Sequence, residues 1–230
     1  ILRYLAAPEI IAVVGPRQCG KTTMVRHLME NLPDSLMLSF DDQATLALFE
    51  QHPDQFIAKY IKGYQYIFID EFQYAQHGGK ILKYIVDSQK IKIIISGSSV
   101  IDLTVKATKY LVGRILVFPL YPFDFAEFIS AKAPSQAELL AEQTVRFSIS
   151  QAAPSIPLVF HQIFLHLYEE YLLFGGYPRV VLEERLNPKQ ELLRNLYNTY
   201  FLREVRDILG LVDDFKLQAL LKSLALQIGS

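Results

Sequence analysis

The sequence predicts an α/β fold, a parallel sheet covered by helices on both faces. Three observations carry this. Short apolar runs recur at residues 9–14, 35–40, 64–70, 91–99 and 114–120. They are largely continuous rather than alternating, as strands buried on both faces require. Stretches with apolar residues at helical spacing separate most of them, and strands that alternate with helices run parallel through crossover connections. Chemically active residues gather just beyond the ends of the first, third and fourth runs, and ligands in open α/β folds sit outside the carboxyl ends of the strands.

The first run, "EIIAVV", leads through a glycine-bearing loop into "GKTTMVRHLMENL", where Met24, Val25, Leu28 and Leu32 share a helical face. "SLMLSF" ends in Asp41-Asp42. "QATLALFEQ" and "PDQFIAKYIKG" read as short helices, the second opening on Pro53. "GKILKYIVDSQ" is a helix with Ile81, Leu82, Ile85 and Val86 on one side. The pattern changes after Pro122. "FDFAEFISA" begins a helix, and the stretch 132–157, rich in Ser, Ala, Gln and Pro, reads as a connector. Helices are expected over 161–174, 178–185, 188–209 and 213–226. The organisation is an α/β core to about residue 130 followed by a helical part.

Composition narrows the function classes. Hydrophobic residues make up 51% of the 230, enough for a sizeable core. A formal net charge of −1 makes no demand for nucleic acid. The single cysteine rules out an internal disulfide and predicts a reduced, cytoplasmic protein. No apolar run approaches the roughly 20 residues of a membrane helix; "IPLVFHQIFLHLYEEYLLF" is interrupted by two His and two Glu. No signal peptide is recognisable, and the start at Ile1 without a methionine reads as a fragment.

In "GPRQCGKT" the pattern Gly15-x-x-x-x-Gly20-Lys21-Thr22 is that of a Walker A loop. Glycines let the backbone wrap a phosphate with its N–H groups inward, and the following helix aims its positive end at the same point. Gly15, Pro16, Arg17, Gln18, Cys19, Gly20, Lys21, Thr22 and Thr23 form the expected nucleotide-binding set. Lys21 would reach the β- and γ-phosphates and Thr22 would ligate Mg²⁺. An ordinary strand-to-helix turn is the competing reading, weakened by the strand before and the helix after. Cys19 is either a redox switch, its thiol activated by the helix terminus, or a variable loop position without a role. No Asn-Lys-x-Asp run reads guanine, so ATP is the expected nucleotide.

The third run ends "YIFIDEFQ". Asp70 would hold Mg²⁺, and Glu71 beside it can orient and deprotonate a water, which points to hydrolysis rather than storage. A solvated Asp-Glu pair is the bland alternative. After the fourth run, Ser96, Ser98 and Ser99 are candidates to contact the γ-phosphate or the attacking water, and Ser98 is favoured. Arg114, after Gly113 and before the fifth run, can touch phosphate in its own subunit or a neighbour's. No serine-hydrolase elbow, glycosidase carboxylate pair or metal-binding His motif occurs; His161 and His166 read as core or interface residues.

"VVGPRQCGKTT", "FIDEFQ", "ISGSS", "LVGRILVFPLYPFDFAEF" and "LLFGGYPRVVL", in this order, resemble the AAA-type P-loop ATPases of bacteria and archaea whose ATPase module precedes a C-terminal domain of unknown function. These are similar to the archaeal ATPase and origin-recognition branches of the AAA+ group. The resemblance spans about residues 8–210. It implies a five-stranded parallel sheet of order 5-1-4-3-2 with a helical lid, Glu71 as catalytic base, a sensor 1 within residues 96–99, and Arg179 as the sensor 2 arginine. Gly175-Gly176 would end one helix and Pro178 open the next, so the first turn there can face the nucleotide. Arg114 resembles the family's Gly-Arg pair, acting in cis or in trans. The implied domains are a core at 1–130, a lid with connector at 131–215, and at 216–230 the beginning of a further domain. The implied activity is Mg²⁺-dependent ATP hydrolysis coupled to core–lid movement, acting on a DNA or protein partner in a homo-oligomer. A slow nucleotide-gated switch that recruits a protein is the alternative.

Overall fold

The computed structural model describes residues 1–98, 110–150, 158–201 and 214–227. The chain divides into two compact units, Ile1–Pro122 and Phe123–Ser230.

The first unit is built on five parallel strands: β1 Ile10–Val14, β2 Ser35–Ser39, β3 Tyr66–Asp70, β4 Lys92–Gly97 and β5 Ile115–Pro119. Their order is β2-β3-β4-β1-β5, the implied order read from the other edge. Each strand is shorter than its apolar run by one to three residues. β1 and β4 are buried along their whole length, while the edge strands β2 and β5 are mostly half-buried.

Successive strand residues face opposite sides, and the core divides accordingly. Ile10, Ala12 and Val14 join Ile67, Ile69, Ile93 and Ile95 under Phe49, Phe56, Leu82 and Ile85. These last four belong to α2 (Gln43–Gln51), α3 (Pro53–Phe56) and α4 (Gly78–Ser88). Ile11 and Val13 join Phe68 and Ile94 on the other face, under Val25 of α1 (Lys21–Met29). Each such Val, Leu, Ile or Phe side chain, fully buried, contributes about 1.5–3 kcal/mol. The central strands are thereby held rigid, and the loops that leave their carboxyl ends start from fixed points.

The second unit is helical in its described residues. It comprises α5 Phe125–Lys132, α6 Pro134–Ser150, α7 Leu158–Phe174, α8 Pro178–Val181, α9 Leu186–Asn195, which continues as a wider turn over Leu196–Phe201, and α10 Asp214–Gln227. Asp124 opens α5 through a reciprocal cap: Glu127 N donates to Asp124 Oδ1 at 2.8 Å, and Asp124 N donates to Glu127 Oε2 at 3.0 Å. Phe128, Ile129, Leu167 and Val181 form the core of this unit. Lys132 and Lys189 both bind Glu170, clamping α5, α7 and α9.

Two sequence expectations are corrected here. Residues 134–150 are a helix, not a connector: Pro134 at the first helical position and the Ala, Glu and Leu residues after it outweigh the loop-like Ser and Gln content. The helix expected over 178–185 ends at Val181. Residues 202–209 of the expected 188–209 helix lie outside the described residues.

Candidate functional site

α1 begins at Lys21, directly after the loop that leaves β1. Its first-turn N–H groups have no intrahelical acceptor, and the positive end of its dipole meets the loop. Two glycines make the turn. Gly20 sits at φ 98°, a left-handed conformation that side chains resist. Gly15 is needed for space: a Cβ there would overlap the Leu120 carbonyl oxygen. Gln18 also takes a positive φ, 62°. Pro16 and Arg17 are half-buried and Thr23 is exposed.

Lys21 is 5% exposed, and its Nζ donates to Gly15 O at 2.8 Å and Pro16 O at 2.9 Å. The ammonium is thus folded over the loop. Cys19 is buried, and burial pushes its thiol up despite the nearby Lys21 charge. That opposes the thiolate a redox switch needs.

Asp70 is the last residue of β3 and 7% exposed. Both its oxygens are engaged. Thr22 Oγ1 donates to Oδ2 at 2.7 Å; Ser96 Oγ and Glu71 N donate to Oδ1, the latter at 3.1 Å. The start of α1, β3 and β4 therefore converge on one carboxylate. Glu71 follows in the left-handed region, at φ 54°, ψ 40°. Gln73, in the short turn Phe72–Tyr74, donates from Nε2 to Glu71 Oε2 and to Ser98 Oγ, the latter at 3.3 Å.

The serines thus separate by contact. Ser96 is fully buried and serves Asp70; Ser98 is half-buried and reaches the Glu71 side through Gln73. Ser99 lies outside the described residues. Gln73 was missed from sequence. It stands inside "FIDEFQ", but nothing in the spacing shows that a residue two past Glu71 turns back onto it.

Arg114 lies elsewhere. It immediately precedes β5, and its carbonyl accepts from Ile10 N at 2.7 Å, at the amino edge of the sheet. The loop leaves the opposite edge, about 16 Å away for five residues of strand. A direct contact with the loop of its own chain is thereby closed to it. Its Nε pairs with Asp87 Oδ1 at 3.2 Å. Arg179 belongs to the second unit, exposed on α8. The glycines before it meet two different needs, backbone conformation at Gly175 and close packing at Gly176. Gly175 has φ 70°, and Gly176, whose O accepts from Phe123 N at 2.8 Å, would overlap Phe123 O if it bore a Cβ.

Among the described residues no group of three or more His, Cys, Asp or Glu could hold a metal on its own. Thr22 and Asp70 fit a cation that draws its other ligands from phosphate and water, as Mg²⁺ does. No helix among the described residues is long and apolar enough to cross a membrane.

Sheet order and glycine loop together define a P-loop nucleotide-binding protein of the NTPase type. The chain belongs to the AAA domain family, whose profile matches residues 7–129. A second profile, a domain of unknown function (DUF8612), matches residues 165–230. Relatives include an uncharacterized protein of Methanocaldococcus jannaschii, 27% identical over 86% of this chain and 42% of its own. Another, from Haemophilus influenzae, is 27% identical over 71% of this chain and 35% of its own. The chain spans less than half the length of these curated relatives. A chain from a structure titled "Structural Basis for Katanin Self-Assembly" aligns over 74% of this chain and 73% of its own, at 13% identity and a TM-score of 0.37.

Proposed function

We propose that the protein binds ATP with Mg²⁺ and hydrolyses it, and that its second, helical unit passes the nucleotide state to a macromolecular partner. The observation that carries this is the convergence of Thr22 and Ser96 on Asp70, with Glu71 next in the chain. Hydrolysis needs a cation site beside a base, and these residues supply both. Magnesium, when bound, neutralises phosphate charge and orients the scissile group.

The residues around the loop and Asp70 divide the work in this reading. The Gly15–Thr23 loop binds phosphate oxygens through backbone N–H groups, and Lys21 gives a charge-assisted contact. Thr22 and Asp70 hold the cation. Ser96 keeps Asp70 oriented. Glu71 takes a proton from the attacking water. Arg114 acts on a neighbouring subunit's site, since its own is out of reach.

ATP turnover and binding of a fluorescent ATP analogue test the reading, with wild type, Glu71→Gln and Lys21→Ala. Glu71→Gln should bind and not turn over; Lys21→Ala should lose both. Equal, negligible turnover in wild type and Glu71→Gln, with binding kept, would instead identify a nucleotide-gated switch.

A further inference from the structure

Gln73 occupies a position that stability alone does not explain. Its Nε2 serves both Glu71 Oε2 and Ser98 Oγ, while its Oε1 is buried with no partner among the described residues. A buried acceptor left without a donor opposes folding, and a methionine of similar shape would avoid that loss. Nor can the amide simply turn over, since the flip would set Oε1 against the Glu71 carboxylate. Glu71 itself is held at positive φ, a conformation that non-glycine residues adopt at a cost. Two unfavourable features thus meet at one carboxylate, and both serve to aim it.

We infer that Gln73 is a positioning residue of the hydrolytic centre, tying Glu71 to Ser98 at the end of β4 so that the base and that strand end keep one geometry. The inference rests on the reading of Glu71 as the base. Gln73 acts through Glu71 and needs no contact with nucleotide. A base displaced by about 1 Å loses on the order of 100-fold in rate, whereas nucleotide binding, made by the loop and Asp70, is untouched.

The experiment is a double-mutant cycle of Gln73→Met and Glu71→Gln, with Gln73→Glu as a second variant that keeps shape and loses the donor. Gln73→Met should lower kcat about 100-fold. Its KM, and its affinity for a fluorescent ATP analogue with Mg²⁺, should stay within about twofold. In the Glu71→Gln background the same change should add nothing. Thermal midpoints of the nucleotide-free proteins give a readout independent of turnover, and the shifts of the two single variants should not add. Turnover lost in Glu71→Gln but kept in both Gln73 variants would overturn this inference alone. Turnover unaffected by Glu71→Gln would overturn the reading of Glu71 and this inference with it. Additive effects in both cycles would also overturn the coupling.

Discussion

Thr22 Oγ1 donates to Asp70 Oδ2 at 2.7 Å, joining the start of α1 to the end of β3 across 48 positions. The two proposed magnesium ligands are thus assembled by the fold itself. Asp70→Asn keeps a similar shape and removes the charge. Its affinity for a fluorescent ATP analogue should become nearly indifferent to Mg²⁺ or EDTA, while wild type loses affinity in EDTA. Thr22→Ala should weaken Mg²⁺-dependent binding about tenfold, corresponding to ~1.4 kcal/mol. A wild-type affinity that EDTA leaves unchanged would count against both assignments.

The two loop glycines should fail differently. Gly15→Ala forces a methyl into the Leu120 carbonyl oxygen, an overpacking defect worth about 1–3 kcal/mol. Gly20→Ala meets open space and pays only for its φ of 98°, about 1–2 kcal/mol. Denaturant melts should therefore show the larger loss for Gly15→Ala; the reverse order would contradict the packing described.

Arg114 and Asp87 form a half-exposed pair, of a kind worth up to about 1 kcal/mol, so the arginine is readily released. If it completes a neighbour's site, turnover per chain should rise with protein concentration. A mixture of Arg114→Ala and Glu71→Gln should then be more active than either alone, because each supplies what the other lacks. Flat specific activity and no gain on mixing would remove the role in trans.

Glu170 gives the second unit a defined acid response. Burial raises its pKa, but the hydrogen bonds and charges of Lys189 and Lys132 outweigh that and hold it below the usual 4.5. A depressed carboxylate contributes stability that is present above the unfolded pKa and lost as pH falls through the folded one. Glu170→Gln also leaves Lys189, only 4% exposed, without its anion, at about 3 kcal/mol. Its melting temperature should lie below wild type at neutral pH, and the gap should close below about pH 4.5. A gap independent of pH would mean that the charge is not what stabilises.

The sequence by itself determined the strands, their parallel arrangement and the phosphate loop. These rest on local rules: apolar runs long enough only for strands, helical spacing between them, and glycines that the backbone requires. Asp70 was legible for the same reason, since a carboxylate ending a buried strand must emerge at its carboxyl edge. The tertiary structure alone decided who touches whom across strands. Ser96 and Ser98 look equivalent in "ISGSS", yet only Ser96, facing the core, meets Asp70. Gln73 gained its place from a turn that starts with Glu71 at positive φ. That Arg114 precedes its strand was legible, but its pairing with Asp87 was not. Residues 134–150 read as a connector because Ser and Gln suggest loops, whereas they lie in a helix that begins at Pro134 and leaves Ser135 exposed and Gln136 half-buried. Contacts of this kind depend on distances between segments far apart in the chain, which only the packed sheet and helices establish.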